Sequence, residues 1–141
     1  IRSKIRKAQK KYKNKRIIAM IDYLTLIENV GNFTSDHAKY SDVSRKLKAL
    51  AKDYHIPVIT LAQLSRGVEQ RADKRPLPSD LRESGSIEQD ADIILLLYRE
   101  SYYNKDYEHP NELEINLAKQ RDGATGIIKV NYFRSTGVIR E

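Results

Sequence analysis

The chain has 141 residues, 40% of them hydrophobic and 32% charged, a composition that builds one domain with a core rather than a disordered tail. It contains no cysteine, which excludes disulfides, thiolate zinc sites and a cysteine nucleophile. A net charge of +7 and a sequence pI near 9.5 favour a polyanionic partner: nucleic acid, a nucleotide or an anionic membrane surface.

Residues 1–15, IRSKIRKAQKKYKNK, carry helical spacing, with Ile1, Ile5, Ala8 and Tyr12 on one side and cations elsewhere. This basic start lacks the apolar core of a signal peptide. The chain opens on Ile rather than Met, so it is expected to be processed or cut from something longer. Residues 17–22, IIAMID, are a continuous apolar run closed by an acid, the pattern of a strand buried on both faces in a parallel sheet. Residues 29–39 have loop composition. Helical spacing returns over 41–54, with Val43, Leu47, Leu50 and Tyr54 as the stripe. His55-Ile56-Pro57 ends that helix, because proline disfavours helix in the residue before it.

VITLAQ, residues 58–63, is a second buried strand, so the order strand, helix, strand reads as a βαβ unit. The polar stretch 65–86 is long for a loop in a compact domain, and such loops are usually functional or disordered. ADIILLLY, residues 91–98, is a third buried strand, and its apolar core, Ile93 to Leu97, is too short to span a bilayer. A soluble, cytoplasmic chain without membrane contact is expected. After a polar loop at 99–111, strands near 112–119, 126–133 and 137–140 are joined by glycine turns and read as antiparallel. The fold class expected is α/β: mostly parallel sheet flanked by helices, with antiparallel C-terminal strands.

In ELEINLAKQRDGATG, residues 112–126, the residues Leu113, Ile115 and Leu117 share one face, and Lys119 and Arg121 continue the same parity. An apolar stripe thus ends in two cations before a turn. Such a pair suits an anion delivered from outside, as an arginine finger does, or else a cationic hairpin end paired with Glu112 or Glu114.

Ligands of α/β sheets sit at the carboxyl ends of the strands. There, Asp22 suits hydrated Mg²⁺ or a turn cap, and Gln63 suits a terminal phosphate, an ordered water or an ordinary polar strand end. Arg82, Glu83, Ser84 and Gly85 combine a phosphate-pairing cation with small residues that let a backbone come close, or form a solvated loop. The three histidines share no spacing, no Ser-His-Asp arrangement is legible, and no G-x-x-x-x-G-K-[ST] occurs, so this chain cannot cradle a triphosphate in the usual way.

IIAMIDYLTLI, LAQLSRGVEQRADKRPLPSDLRESGSIEQDADII and LAKQRDGATG together resemble the RecA-like motor domain of bacterial and phage replicative DNA helicases, the DnaB family, over residues 1 to about 134. The resemblance implies a partial RecA-like P-loop NTPase core, with 1–141 as a single domain lacking the Walker A segment. It implies Asp22 as the Walker B acid acting on Mg²⁺, and Gln63 as the sensor between the γ-phosphate of ATP and DNA. It implies Arg82, Glu83 and Gly85 at single-stranded DNA. It implies Arg121 as the finger with Lys119 its companion, both reaching the ATP site of the next subunit in a hexameric ring. Primase and a helicase loader follow as partners. The family's phosphate-binding loop and catalytic glutamate precede the point where this sequence starts, so the chain by itself is expected to be inactive. Exposed sheet edges and apolar surface, with weak stability, aggregation or pairing with another chain, are expected too. The alternative is a DNA-binding or ring-modulating module without ATPase activity. A recombinase-type protein on the same core is a third reading, disfavoured by RESGSIEQDAD.

Overall fold

The computed structural model describes residues 1–27, 33–81 and 84–141. The chain divides into two compact units, one of Ile1–Ser65 with Leu81–Ala91, the other of Arg66–Asp80 with Asp92–Glu141.

The first unit is the expected βαβ. Helix α1 (Arg2–Lys11) is followed by β1 (Ala19–Ile21), α2 (Asp36–Tyr54), β2 (Val58–Thr60) and, later in the chain, α3 (Ser84–Asp90). β1 and β2 pair in parallel, Ala19 opposite Val58 and Ile21 opposite Thr60. The pairing runs on past the strand ends, where the Leu61 N–H donates to the Ile21 carbonyl (3.0 Å) and the Leu24 N–H to the Leu61 carbonyl (2.9 Å).

α2 starts five residues before the hydrophobic stripe suggests. Ser35 caps it, its Oγ accepting from the Ala38 N–H at 3.1 Å, and Asp36 sits in the first turn. Cap and acid set the start where periodicity is silent. The helix stops at His55, whose backbone is left-handed (φ 50°, ψ 47°), with its N–H returning to the Ala51 and Lys52 carbonyls. That left-handed cap, followed by Pro57, turns the chain into β2.

The core of this unit gathers Ile5 of α1, Leu50 of α2 and Ile56, with Ile17, Ala19, Tyr54 and Val58 packed against them. It covers one face of the strand pair only. Met20 is 77% exposed, and Ile18, Ile59 and Leu61 are exposed too, so these apolar runs are not buried on both faces within this unit. Continuous hydrophobicity signals faces suited to burial and does not name what buries them.

The second unit is a four-stranded antiparallel sheet in the order β3 (Ile93–Tyr98), β4 (Glu112–Gln120), β5 (Gly126–Phe133), β6 (Val138–Arg140). The three C-terminal strands are as the sequence suggests. β3 pairs antiparallel with β4 and alternates: Ile94, Leu96 and Tyr98 are buried, whereas Ile93, Leu95 and Leu97 are exposed. The pairing shifts by one residue between Ile94 and Leu95, leaving Ala118 extra on β4. Lys119 therefore stands across from buried Ile94, and Leu117 across from exposed Leu95. A bulge of this kind breaks strict alternation, so Lys119 does not continue the face of Leu117.

The stretch expected as a long polar loop is ordered over much of its length. It holds 3-10 turns at Arg66–Gln70 and Pro78–Asp80. The Arg71 guanidinium donates to both carboxylate oxygens of Asp80 (2.9 and 2.7 Å), and the Leu77 N–H donates to Asp80 Oδ2 (2.7 Å). The burial of Asp80 alone would raise its carboxyl pKa, but the Arg71 and Leu77 donors outweigh it and hold the group below its ordinary value. Arg75 reaches the sheet, donating to both oxygens of buried Glu114 (2.9 and 2.8 Å) and stacking 4.6 Å above the Tyr98 ring. A polar composition thus conceals a segment stapled by two bidentate arginines.

Candidate functional site

The carboxyl ends of β1 and β2 are adjacent because the strands are parallel and in register. Asp22 directly follows β1, and its side chain is exposed. Gln63 lies three residues beyond the end of β2 and is exposed as well. The chain thus presents a carboxylate and an amide from neighbouring strand ends, the place where open α/β sheets hold ligands. One exposed carboxylate suits Mg²⁺, which takes one or two carboxylates and completes its shell with water and substrate phosphates. Among the described residues, no group of three or more His, Cys, Asp or Glu is placed to hold a metal ion on its own. A groove of about 700 Å³ in the same unit is lined by residues including Ile1, Leu26, Ile27, Val43, Leu47 and Leu50, and contains neither Asp22 nor Gln63.

Arg82 and Glu83 lie outside the described residues. Gly85 is the second residue of α3 and is exposed, and a Cβ placed on it would meet open space. Packing therefore does not demand glycine here, and the backbone stays open to close approach. α3 is held against α2 by Ser86, whose hydroxyl donates to Ser41 Oγ at 2.8 Å.

In the second unit, Lys119 and Arg121 fall at the end of β4. Lys119 is half-buried. Arg121 follows the strand, and its backbone N–H donates to the Asp92 carbonyl (2.9 Å) while its Nε donates to Asp92 Oδ1 (2.8 Å). Both side chains of that pair are about half exposed, 51% and 54%. Asp92 is thus a residue of the site that the sequence reading missed. Neither Glu112 nor Glu114 pairs with Arg121: Glu112 accepts from Tyr107 (2.7 Å) and Lys129 (3.0 Å), and Glu114 accepts from Arg75. Asp92 becomes legible only from the antiparallel register, which sets Ile93 opposite Gln120 and so brings Asp92 beside Arg121. In the turn after Arg121, the Gln120 side chain lies where a Cβ on Gly123 would go, a clash that this flexible side chain could relieve by moving. The cation therefore sits on a backbone pinned at the strand end, with its charge at the surface.

Known proteins resemble this chain closely in sequence and fold. The replicative DNA helicase DnaB of Geobacillus stearothermophilus is 54% identical over 116 residues, 82% of this chain and 26% of the relative. The replicative DNA helicase DnaB of Leifsonia xyli is 49% identical over 132 residues, 94% of this chain and 28% of the relative. Among solved structures, a DnaB-like replicative helicase, described with its interactions with primase, superposes with a TM-score of 0.95 at 47% identity, over 99% of this chain and 34% of that one. A second solved structure, described as an ATPase domain, gives the same score and identity over 99% of this chain and 49% of that one. The chain thus spans about a quarter of the length of the curated relatives it matches. The family model of the DnaB-like helicase C-terminal domain matches residues 1–140, and this chain belongs to that family.

Proposed function

We propose that this chain is the C-terminal part of a helicase ATPase domain, and that the protein containing it uses ATP to move along single-stranded DNA and separate duplex. The observation that carries the reading is the pair of polar strand ends, Asp22 and Gln63, side by side on parallel β1 and β2. In this reading Asp22 holds the Mg²⁺ of ATP, and the ion, when bound, offsets charge on the phosphates. Gln63 senses the terminal phosphate through an amide that both donates and accepts. Arg82, Glu83 and Gly85 face the DNA strand. Arg121, accompanied by Lys119, supplies positive charge to the nucleotide of a neighbouring subunit in a hexameric ring. Primase and a helicase loader are the proposed partners of that ring.

The test is a graft. The matching segment of the Geobacillus relative is replaced by this chain, and DNA-stimulated ATP hydrolysis and unwinding are measured. The graft should hydrolyse ATP and unwind duplex. Arg121→Ala should lower kcat about a thousandfold, the scale of a finger supplied in trans, with nucleotide affinity nearly unchanged. Equal loss of binding and turnover would remove the finger assignment. A graft that assembles and binds DNA without hydrolysis would favour the ATPase-dead module.

A further inference from the structure

We propose that the outward face of α1, with the cationic residues that follow it, binds the phosphate backbone of a DNA strand, a contact additional to the one proposed for Arg82, Glu83 and Gly85. Residues 1–16 contain nine of the 26 cations and none of the 19 acids, which leaves 17 cations against all 19 acids in the rest of the chain. The whole positive balance of the molecule therefore sits in this one segment.

Most of those charges are not what folds the helix, although Lys10 and Lys11 in its last turn do suit the dipole. Its first turn holds no acid, and Arg2 and Lys4 stand at the positive end of the helix dipole. Like charges recur at the i,i+4 spacing, Arg2–Arg6, Arg6–Lys10 and Lys7–Lys11, and each such pair weakens a helix. What holds α1 in place is Ile5, Gln9 and only two of the cations, Arg2 and Arg6. Ile5 is buried in the core. Arg2 lies 3.2 Å from Asp53, the Arg6 Nε donates to Tyr54 Oη (2.8 Å), and Gln9 donates to the Tyr54 carbonyl (2.9 Å). Lys4, Lys7, Lys10 and Lys11 lie on the side of the helix away from Ile5, all exposed, with no carboxylate partner among the described residues. Lys13, Lys15 and Arg16 extend the patch, also exposed.

The chemistry selects the partner. A membrane-surface helix inserts its apolar face, but here that face is already spent on the core through Ile5. A protein partner is anchored by desolvated aromatic and arginine hot spots, whereas this surface is mostly lysine. Lysines are point charges on flexible stems, suited to phosphates at any register and blind to base sequence. The choice of DNA among polyanions rests on the helicase reading; the surface itself does not.

The test uses this 141-residue chain and fluorescein-labelled oligonucleotides, single-stranded and duplex, followed by anisotropy across a salt series. The variant Lys4→Gln/Lys7→Gln/Lys10→Gln/Lys11→Gln keeps helix propensity, and circular dichroism checks that it folds. It should flatten the slope of log K against log salt by about 3 and weaken binding about tenfold or more, because each phosphate contact contributes roughly 0.7 to 0.9 to that slope. Arg82→Ala should remove about 1 from the slope, and the two effects should add. The strand form bound more tightly identifies which DNA occupies the surface. An unchanged slope in the four-lysine variant overturns the proposal. So does a wild-type chain that binds anionic vesicles and not DNA, whether or not the grafted ring hydrolyses ATP.

Discussion

The Arg75–Glu114 pair gives a sharp test of how the second unit is held together, because its two partners are buried unequally. The Glu114 side chain is 7% exposed and that of Arg75 43%. Hydrogen bonding to Glu114 also holds the Arg75 pKa well above its ordinary guanidinium value. In Arg75→Ala the Glu114 carboxylate stays buried and loses two charge-assisted hydrogen bonds, keeping Lys129 at 3.9 Å as its cation among the described residues. Stranding one partner of a buried pair costs about 3 to 5 kcal/mol. The residual Lys129 attraction puts this case near 3, and loss of the stack on Tyr98 adds about 0.5 kcal/mol. In Glu114→Gln the Arg75 left behind turns to solvent and retains Asp73 and Glu100 nearby (3.5 and 3.7 Å), so the cost is about 1 kcal/mol. The difference, about 2.5 kcal/mol, should appear as roughly seventyfold faster native-state hydrogen exchange of the β3–β4 ladder amides in Arg75→Ala than in Glu114→Gln. If Glu114→Gln costs as much as Arg75→Ala, unequal burial does not control the pair.

Three further outcomes follow from local features. The Tyr98 hydroxyl is pushed up to about 12 by burial and by donating to Glu100. The folded chain therefore keeps a proton that the unfolded chain loses near pH 10, so stability falls as pH rises from 10 to 12, by about 2 to 3 kcal/mol; urea midpoints at pH 9 and 11.5 should show the drop, and Tyr98→Phe should remove most of it. Asp80 has the opposite sign: its lowered pKa supplies stability above the ordinary aspartate range, lost as pH falls through the folded value. Asp80→Asn should cost about 2 kcal/mol at neutral pH and flatten the acid limb of the stability curve. His55 caps α2 with a φ of 50°, a conformation costly for a residue with a Cβ; His55→Gly should raise the melting temperature by a few degrees, a gain of about 0.5 to 1 kcal/mol, and a lower melting temperature would show that the imidazole makes a compensating contact.

What was legible in the residues divides along physical lines. Short-range signals carried: the stripe Val43, Leu47, Leu50 marks the buried side of α2, the strand–helix–strand order gives parallel β1 and β2, and the glycine turns give antiparallel β4, β5 and β6. The carboxyl-end rule brought Asp22 and Gln63 to one edge. Long-range pairings were not legible. The bulge at Ala118 overrides the alternation from which the common face of Leu117 and Lys119 was inferred. Arg71–Asp80 and Arg75–Glu114 join residues 9 and 39 apart, and no local pattern distinguishes those arginines from solvated ones. Composition therefore reads 65–86 as a loop while the structure shows much of it tied down.

In the proposed function Arg121 acts in the nucleotide site of a neighbouring subunit, and its pairing with Asp92 bears on how a cation at the end of β4 could do so. A finger has to be held in place and yet be free to change partners. The backbone bond from the Arg121 N–H to the Asp92 carbonyl supplies the first condition, since it fixes the strand end whatever the side chain does. The side-chain bond supplies the second. Both groups are about half exposed, and an ion pair in that setting contributes about 0 to 1 kcal/mol. Phosphoryl-transfer charge in a closed site attracts a guanidinium far more strongly, by about 4 kcal/mol or more on the scale of a finger's effect on rate. Giving up the Asp92 pair for a phosphate would therefore forfeit only the little that the pair contributes. If the pair instead contributes stability comparable to Arg75–Glu114, Asp92→Asn in the grafted ring should speed hydrolysis several-fold; unchanged turnover is the outcome this argument requires.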